Sequence, residues 1–126
     1  VVDTSGSMSA KQIGMALGSI ASYAAAKDVP FVRIIFCDAK ATDAGYLAPE
    51  DIAGRVKVTG RGGTILQPGV DCLEQANDFP KDGPILIITD GEIENDLKVR
   101  REHAFLLPRG NRLPFRARGE VFYFRE

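Results

Sequence analysis

GPILIITDG, residues 83–91, decides how the rest of this chain is read. Ile85, Leu86, Ile87 and Ile88 run without a polar interruption, between a Gly-Pro pair on one side and an acid and a glycine on the other. A half-exposed strand would alternate apolar and polar residues; an unbroken apolar run fits a strand buried on both faces. Strands of that kind belong to parallel sheets covered by helices above and below. The run stops at Asp90, which places a carboxylate at the carboxyl end of a central strand.

The opening stretch, VVDTSGSM at 1–8, repeats the arrangement in shorter form. Val1 and Val2 read as the end of another buried strand, and Asp3, Ser5 and Ser7 then supply an oxygen at every second position. Alternate residues of an extended chain point the same way, so one carboxylate and two hydroxyls face one side, while Gly6 lets the backbone bend. Three oxygens converging on one point suggest a hard cation.

Helical and strand patterns alternate between these two stretches. From Ser9 to Lys27 the residues Ile13, Leu17, Ile20, Ala21 and Ala24 fall at helical spacing, and Ser9 with Gln12 fits a capping box. Gly14 and Gly18, four apart, predict close packing of this helix against a sheet. FVRIIFC (31–37) reads as a mostly buried strand closing at Asp38, itself expected to form a turn. From Asp38 to Val58 the pattern weakens: ATDAG (41–45) is a turn signal, GYLA (45–48) and RVKV (55–58) are short edge strands, and PEDI (49–52) is a helical turn. TGRGGT (59–64) is a glycine-rich loop, and QPGVDCLEQAND (67–78) is a helix with Val70, Leu73 and Ala76 on one side. A third, more polar helix is expected around Ile93 to Arg101, followed by strands at HAFLL (103–107) and EVFYF (120–124).

This alternation predicts an α/β fold: a doubly wound, mostly parallel sheet with helices on both faces and right-handed crossovers. Ligands of such sheets bind beyond the carboxyl ends of the strands, where the strand order reverses. With the first strand central, its loop DTSGS (3–7) and the loop after ILIITD (85–90) become neighbours there, and since adjacent strands lie about 4.8 Å apart, Asp3 and Asp90 would be held close together. Asp3 and Asp90 would then repel unless a cation or a proton neutralised one of them.

DTSGSM, a later GGT and ITDG, in that order, resemble the metal-ion-dependent adhesion site of von Willebrand factor A (VWA) domains. The resemblance implies a Rossmann-like fold in which the hydroxyls of Ser5, Ser7 and Thr64 bind a metal, with Asp3 and Asp90 acting directly or through bound water. An oxygen-only, part-hydrated shell suits Mg²⁺ or Mn²⁺ better than zinc. FCDAKAT (36–42) and RLPFRARGEVFYF (112–124) also resemble the VWA-like domain at the C-terminus of bacterial proteins whose upstream part is similar to a metallopeptidase. On that basis residues 1–126 are expected to be one VWA-like domain, the C-terminal fragment of a longer protein, lacking the start of its first strand. The function implied is Mg²⁺-dependent binding of a partner protein through its Asp or Glu side chain, and an AAA-type ATPase is one partner the resemblance suggests. The alternatives are a metal-dependent phosphohydrolase, which wants an acid where Ser5 stands, and a scaffold with a vestigial metal site.

Composition narrows the field further. A chain of 126 residues, 44% hydrophobic, buries one core, and a net charge of −1 exerts no general pull on nucleic acid. No apolar run would cross a membrane. Cys37 and Cys72 have no metal-finger spacing and read as reduced thiols, which leans toward a cytoplasmic setting. His103 has no second histidine with which to hold zinc, and TSGSM lacks the G-x-S-x-G elbow of a hydrolase nucleophile, so no enzymatic role is expected of this fragment itself. Half of the Lys and Arg residues lie from Lys98 onward, a solvated face by default and an acidic partner's surface otherwise.

Overall fold

The computed structural model describes residues 1–5, 7–52, 54 and 65–125. Six strands form one sheet in the order β3-β2-β1-β4-β5-β6. They are β1 (Val2–Asp3), β2 (Val32–Cys37), β3 (Ala41–Leu47), β4 (Ile85–Ile88), β5 (His103–Pro108) and β6 (Glu120–Phe124). Every adjacent pair is parallel except β2 and β3, which form an antiparallel hairpin. The chain leaves β1 for β2 on one side and later returns to β4 on the other, so the order reverses at β1.

Helix α1 (Ala10–Ala26) carries the expected capping box: Ser9 Oγ accepts from Gln12 N–H at 3.1 Å, and Gln12 Oε1 accepts from Ser9 N–H at 3.0 Å. Its buried stripe of Ile13, Ala16 and Leu17 packs with the short α2 (Pro49–Ile52) on one face of the sheet, over Val2, Ile34, Phe36 and Ile88. Helix α3 (Gln67–Gln75) lays Val70 and Leu73 on the other face, over Ile35, Cys37, Ile85 and Ile87. Successive residues of β2 and β4 thus go to opposite cores, which is why neither strand has a polar side.

Three expectations need correction. ATDAG is part of β3 rather than a turn; the turn is Asp38 to Lys40, where Asp38 Oδ1 accepts from the N–H groups of Ala39 and Lys40 at 2.7 and 3.1 Å. Pairing with β2 holds Ala41–Leu47 extended, and the Arg33 guanidinium grips the Asp43 carboxylate on the same hairpin. Gly18 is not a close-packing site: a Cβ there would meet nothing within 4 Å.

The third correction concerns Ile93 to Arg101, which form turns and extended chain instead of a helix. Backbone groups of Lys98, Arg100 and Arg101 are bonded to side chains of α3. Gln67 Oε1 accepts from Lys98 N–H at 2.8 Å while Gln67 Nε2 donates to Lys98 O at 2.9 Å, and Glu74 Oε2 accepts from Arg100 N–H at 2.8 Å. Residues Ile93, Leu97 and Val99 cover the α3-side core, joined by Leu113, Phe115 and Ala117 from a second irregular segment. RVKV lies outside the described residues.

Candidate functional site

Because β1 lies between β2 and β4, the loops that follow β1 and β4 meet at the carboxyl edge of the sheet. Five polar residues are buried there: Asp3, Thr4, Ser5, Thr89 and Asp90, each no more than 3% exposed. A polar group out of water needs a partner, and among the described residues no buried side-chain nitrogen or oxygen lacks one.

Asp3 is the centre of the network. Its Oδ1 accepts from Ser5 N–H at 2.9 Å, and its Oδ2 accepts from Thr89 Oγ1 at 2.7 Å. Thr89 Oγ1 in turn accepts from Gly91 N–H at 3.1 Å. Ser5 Oγ and Ser7 Oγ stand 2.9 Å apart, so the two hydroxyls of the opening motif do converge, with Ser5 buried and Ser7 exposed. Asp90 Oδ1 accepts from Glu92 N–H at 3.0 Å, and its carbonyl accepts from Asn111 Nδ2 at 2.9 Å. Burial pushes the Asp3 carboxyl above its usual range; the hydrogen bonds from Ser5 and Thr89 oppose this, and the Asp90 charge adds to it.

The structure therefore brings together Asp3, Ser5, Ser7 and Asp90, while Thr64 lies outside the described residues. Sequence reasoning missed Thr89 as the residue fixing the Asp3 carboxylate, although its place in ITDG marks it as the last residue before the acid. It also missed Glu94. That carboxylate accepts from Leu66 N–H through both oxygens, at 2.9 and 3.0 Å, and from Gln67 N–H at 3.0 Å, capping α3. At the α1 N-terminus the capping box engages the N–H groups of Ser9 and Gln12.

The donor set fits a hard divalent cation: two carboxylates, one already burdened by burial and by the other's charge, beside a pair of touching hydroxyls. Among the described residues no three His, Cys, Asp or Glu side chains cluster as a metal site.

A doubly wound α/β domain with its polar crevice at the strand-order reversal is the class these features define. Residues 1–101 match the model of the VWA-like domain family DUF2201, and the chain belongs to that family. Such a domain is a protein-interaction or scaffold module. Comparison with curated proteins and with solved structures gave no match. No helix among the described residues is long and apolar enough to cross a membrane.

Proposed function

We propose that this domain is a Mg²⁺- or Mn²⁺-dependent interaction module whose cation is held by Asp3, Ser5, Ser7, Thr64 and Asp90, and whose ligand is an Asp or Glu side chain of a partner protein. The observation that carries the reading is the Ser5–Ser7 hydroxyl pair, 2.9 Å apart, beside an Asp3 carboxyl whose charge is disfavoured by burial and by Asp90. A cation relieves that electrostatic load, and hydroxyls accept it without adding charge.

Both Asp3 oxygens already accept from protein donors, so this carboxylate supports the cation as a fixed negative charge and through bound water. A first shell built mainly of neutral hydroxyls leaves the metal electrophilic, and an incoming carboxylate completes it. The chain's own part is to hold the donors in place. The reading assigns no catalytic step to the domain.

Calorimetric titration of MgCl₂ or MnCl₂ into the wild type and Asp3→Ala tests the metal. Saturable binding lost in Asp3→Ala is expected; equal affinity in both proteins overturns the reading, and absence of binding to a folded wild type leaves a scaffold with a vestigial site. A captured partner should be released by chelation and weakened by Thr64→Ala.

A further inference from the structure

The face covered by α3 carries a feature that the crevice does not use. Along residues 112–118 exposed and half-buried positions alternate: Leu113, Phe115 and Ala117 rest on the core, while Arg112, Arg116 and Arg118 face solvent. Between this segment and residues 95–100 lies a cleft of about 630 Å³, a size typical of ligand pockets. Its floor is apolar, with Val99, Phe105 and Phe115, and its rim carries Lys98, Arg100, Arg116 and Arg118.

Among the described residues none of these four cations has an ion-pair partner; both ion pairs belong to Arg33. The concentration of charge runs against the composition of the chain. Eight of its 16 Lys and Arg residues but only three of its 17 Asp and Glu residues lie from Lys98 onward, although the net charge is −1. Glu102 and Glu120 line a neighbouring hollow rather than this cleft, where Asp96 is the acid present.

We propose that this cleft is a second docking surface, binding an acidic segment of a partner protein that seats one bulky apolar side chain on the floor and sets its carboxylates against the rim. Charge complementarity selects the acidic chemistry, and the apolar floor selects a polypeptide over nucleic acid. Single-stranded nucleic acid binds on open aromatic faces. Here Phe105 is 1% exposed and meets His103 and Phe115 edge-on, at ring-centroid distances of 5.4 and 5.7 Å, so it offers no stacking platform. Arginine forks suit carboxylates because each guanidinium can give two parallel hydrogen bonds.

The test uses the 126-residue chain with chelator present, so that metal at Asp3 contributes nothing. The probe is a fluorescein-labelled octapeptide of Glu and Asp with one central Leu, followed by anisotropy at two salt concentrations. Saturable, salt-sensitive binding is expected, weakened about tenfold by Arg116→Glu with Arg118→Glu, as for a few partly exposed ion pairs. Replacing the peptide's Leu by Ser should cost about fivefold, the scale of one partly buried apolar side chain. Arg125→Glu should change nothing. No binding, undiminished binding to the double variant, indifference to the Leu, or competition by an oligonucleotide or an anionic vesicle at lower concentration overturns the proposal. Thermal melts of both arginine variants separate a lost contact from a lost fold.

Discussion

Thr89, the residue after β4, donates its hydroxyl proton to Asp3 Oδ2 at 2.7 Å, joining the ends of two neighbouring strands 86 positions apart in sequence. The bond holds a fully buried carboxylate in one orientation while Thr89 Oγ1 also accepts from Gly91 N–H, so one hydroxyl ties β1, β4 and the following turn together. Thr89→Val keeps the shape but strands both Asp3 Oδ2 and Gly91 N–H. A loss of about 2–4 kcal/mol is expected, since each buried polar group left unpaired costs about 1–3 kcal/mol. Urea unfolding measures it, and Thr89→Ser, which restores the hydroxyl, should recover most of the loss. A Thr89→Val protein as stable as wild type would show that the network does not hold the crevice together.

Glu94 is expected to matter for stability although nothing in its surroundings marks it as part of the cation site. Its carboxylate takes the N–H groups of Leu66 and Gln67 at the start of α3, where Leu66 itself has no capping side chain. The negative charge also lies at the positive end of the helix. Glu94→Ala should therefore cost about 1–2 kcal/mol, the range of a lost N-cap with its charge term. Glu94→Gln keeps an acceptor but not the charge, and should fall between the two in a urea titration.

The sheet was legible because its strands are recorded in local pattern: Ile85–Ile88 has no polar side because both faces are covered, and Ser9 with Gln12 announces the start of α1. The meeting of Asp3 and Ser5 with Asp90 follows from strand order, which the sequence reading anticipated. The failures share a different cause. Residues 93–101 have helix-compatible side chains, yet their backbone partners are Gln67 and Glu74, some 26 to 31 positions away, and no local pattern reports that competition. ATDAG carries turn residues, but pairing with β2 and the Arg33 grip on Asp43 outweigh them. Thr89 and Glu94 act through single long-range contacts, which leave no periodic trace.

Two glycines should respond in opposite directions to the same substitution. Gly18 lies within α1, and a Cβ there would meet nothing within 4 Å, so Gly18→Ala should stabilise by about 0.5–1 kcal/mol through reduced backbone freedom. Gly91 has φ +90, and its Cβ would collide with the carbonyl oxygen of Arg112. A backbone atom cannot move aside as a flexible side chain can. Gly91→Ala should lower stability by about 3 kcal/mol or more, combining an unfavourable φ with displacement of the 111–118 segment. Thermal melts of the two variants check both signs, and a stable Gly91→Ala would mean that Arg112 is not held against the turn.

The two thiols differ in a way that pH-dependent alkylation can read. Cys37 is fully buried at the end of β2, where its Sγ donates to Ile65 O at 3.4 Å; Cys72 is half-buried on α3. Burial pushes the Cys37 thiol from its usual 9.0 up to about 11, with the charges of Asp38, Asp3 and Glu94 adding to the shift. Only the thiolate is nucleophilic, so alkylation by iodoacetamide requires deprotonation as well as access. The sign follows: the fold favours the neutral thiol, a contribution to stability fully present below pH 9 and lost as pH rises through about 11. In the native protein at pH 8, Cys72 should therefore be alkylated well before Cys37, by about tenfold or more, and the two rates should converge in urea. The native Cys37 rate should keep rising beyond pH 9, where the denatured protein's rate levels off. Mass-spectrometric timing of each modified peptide supplies the measurement. Equal native rates at pH 8 would mean that the β1–β2 edge opens faster than the reagent reacts, and that Asp3, one strand over, is less shielded from water than its burial indicates.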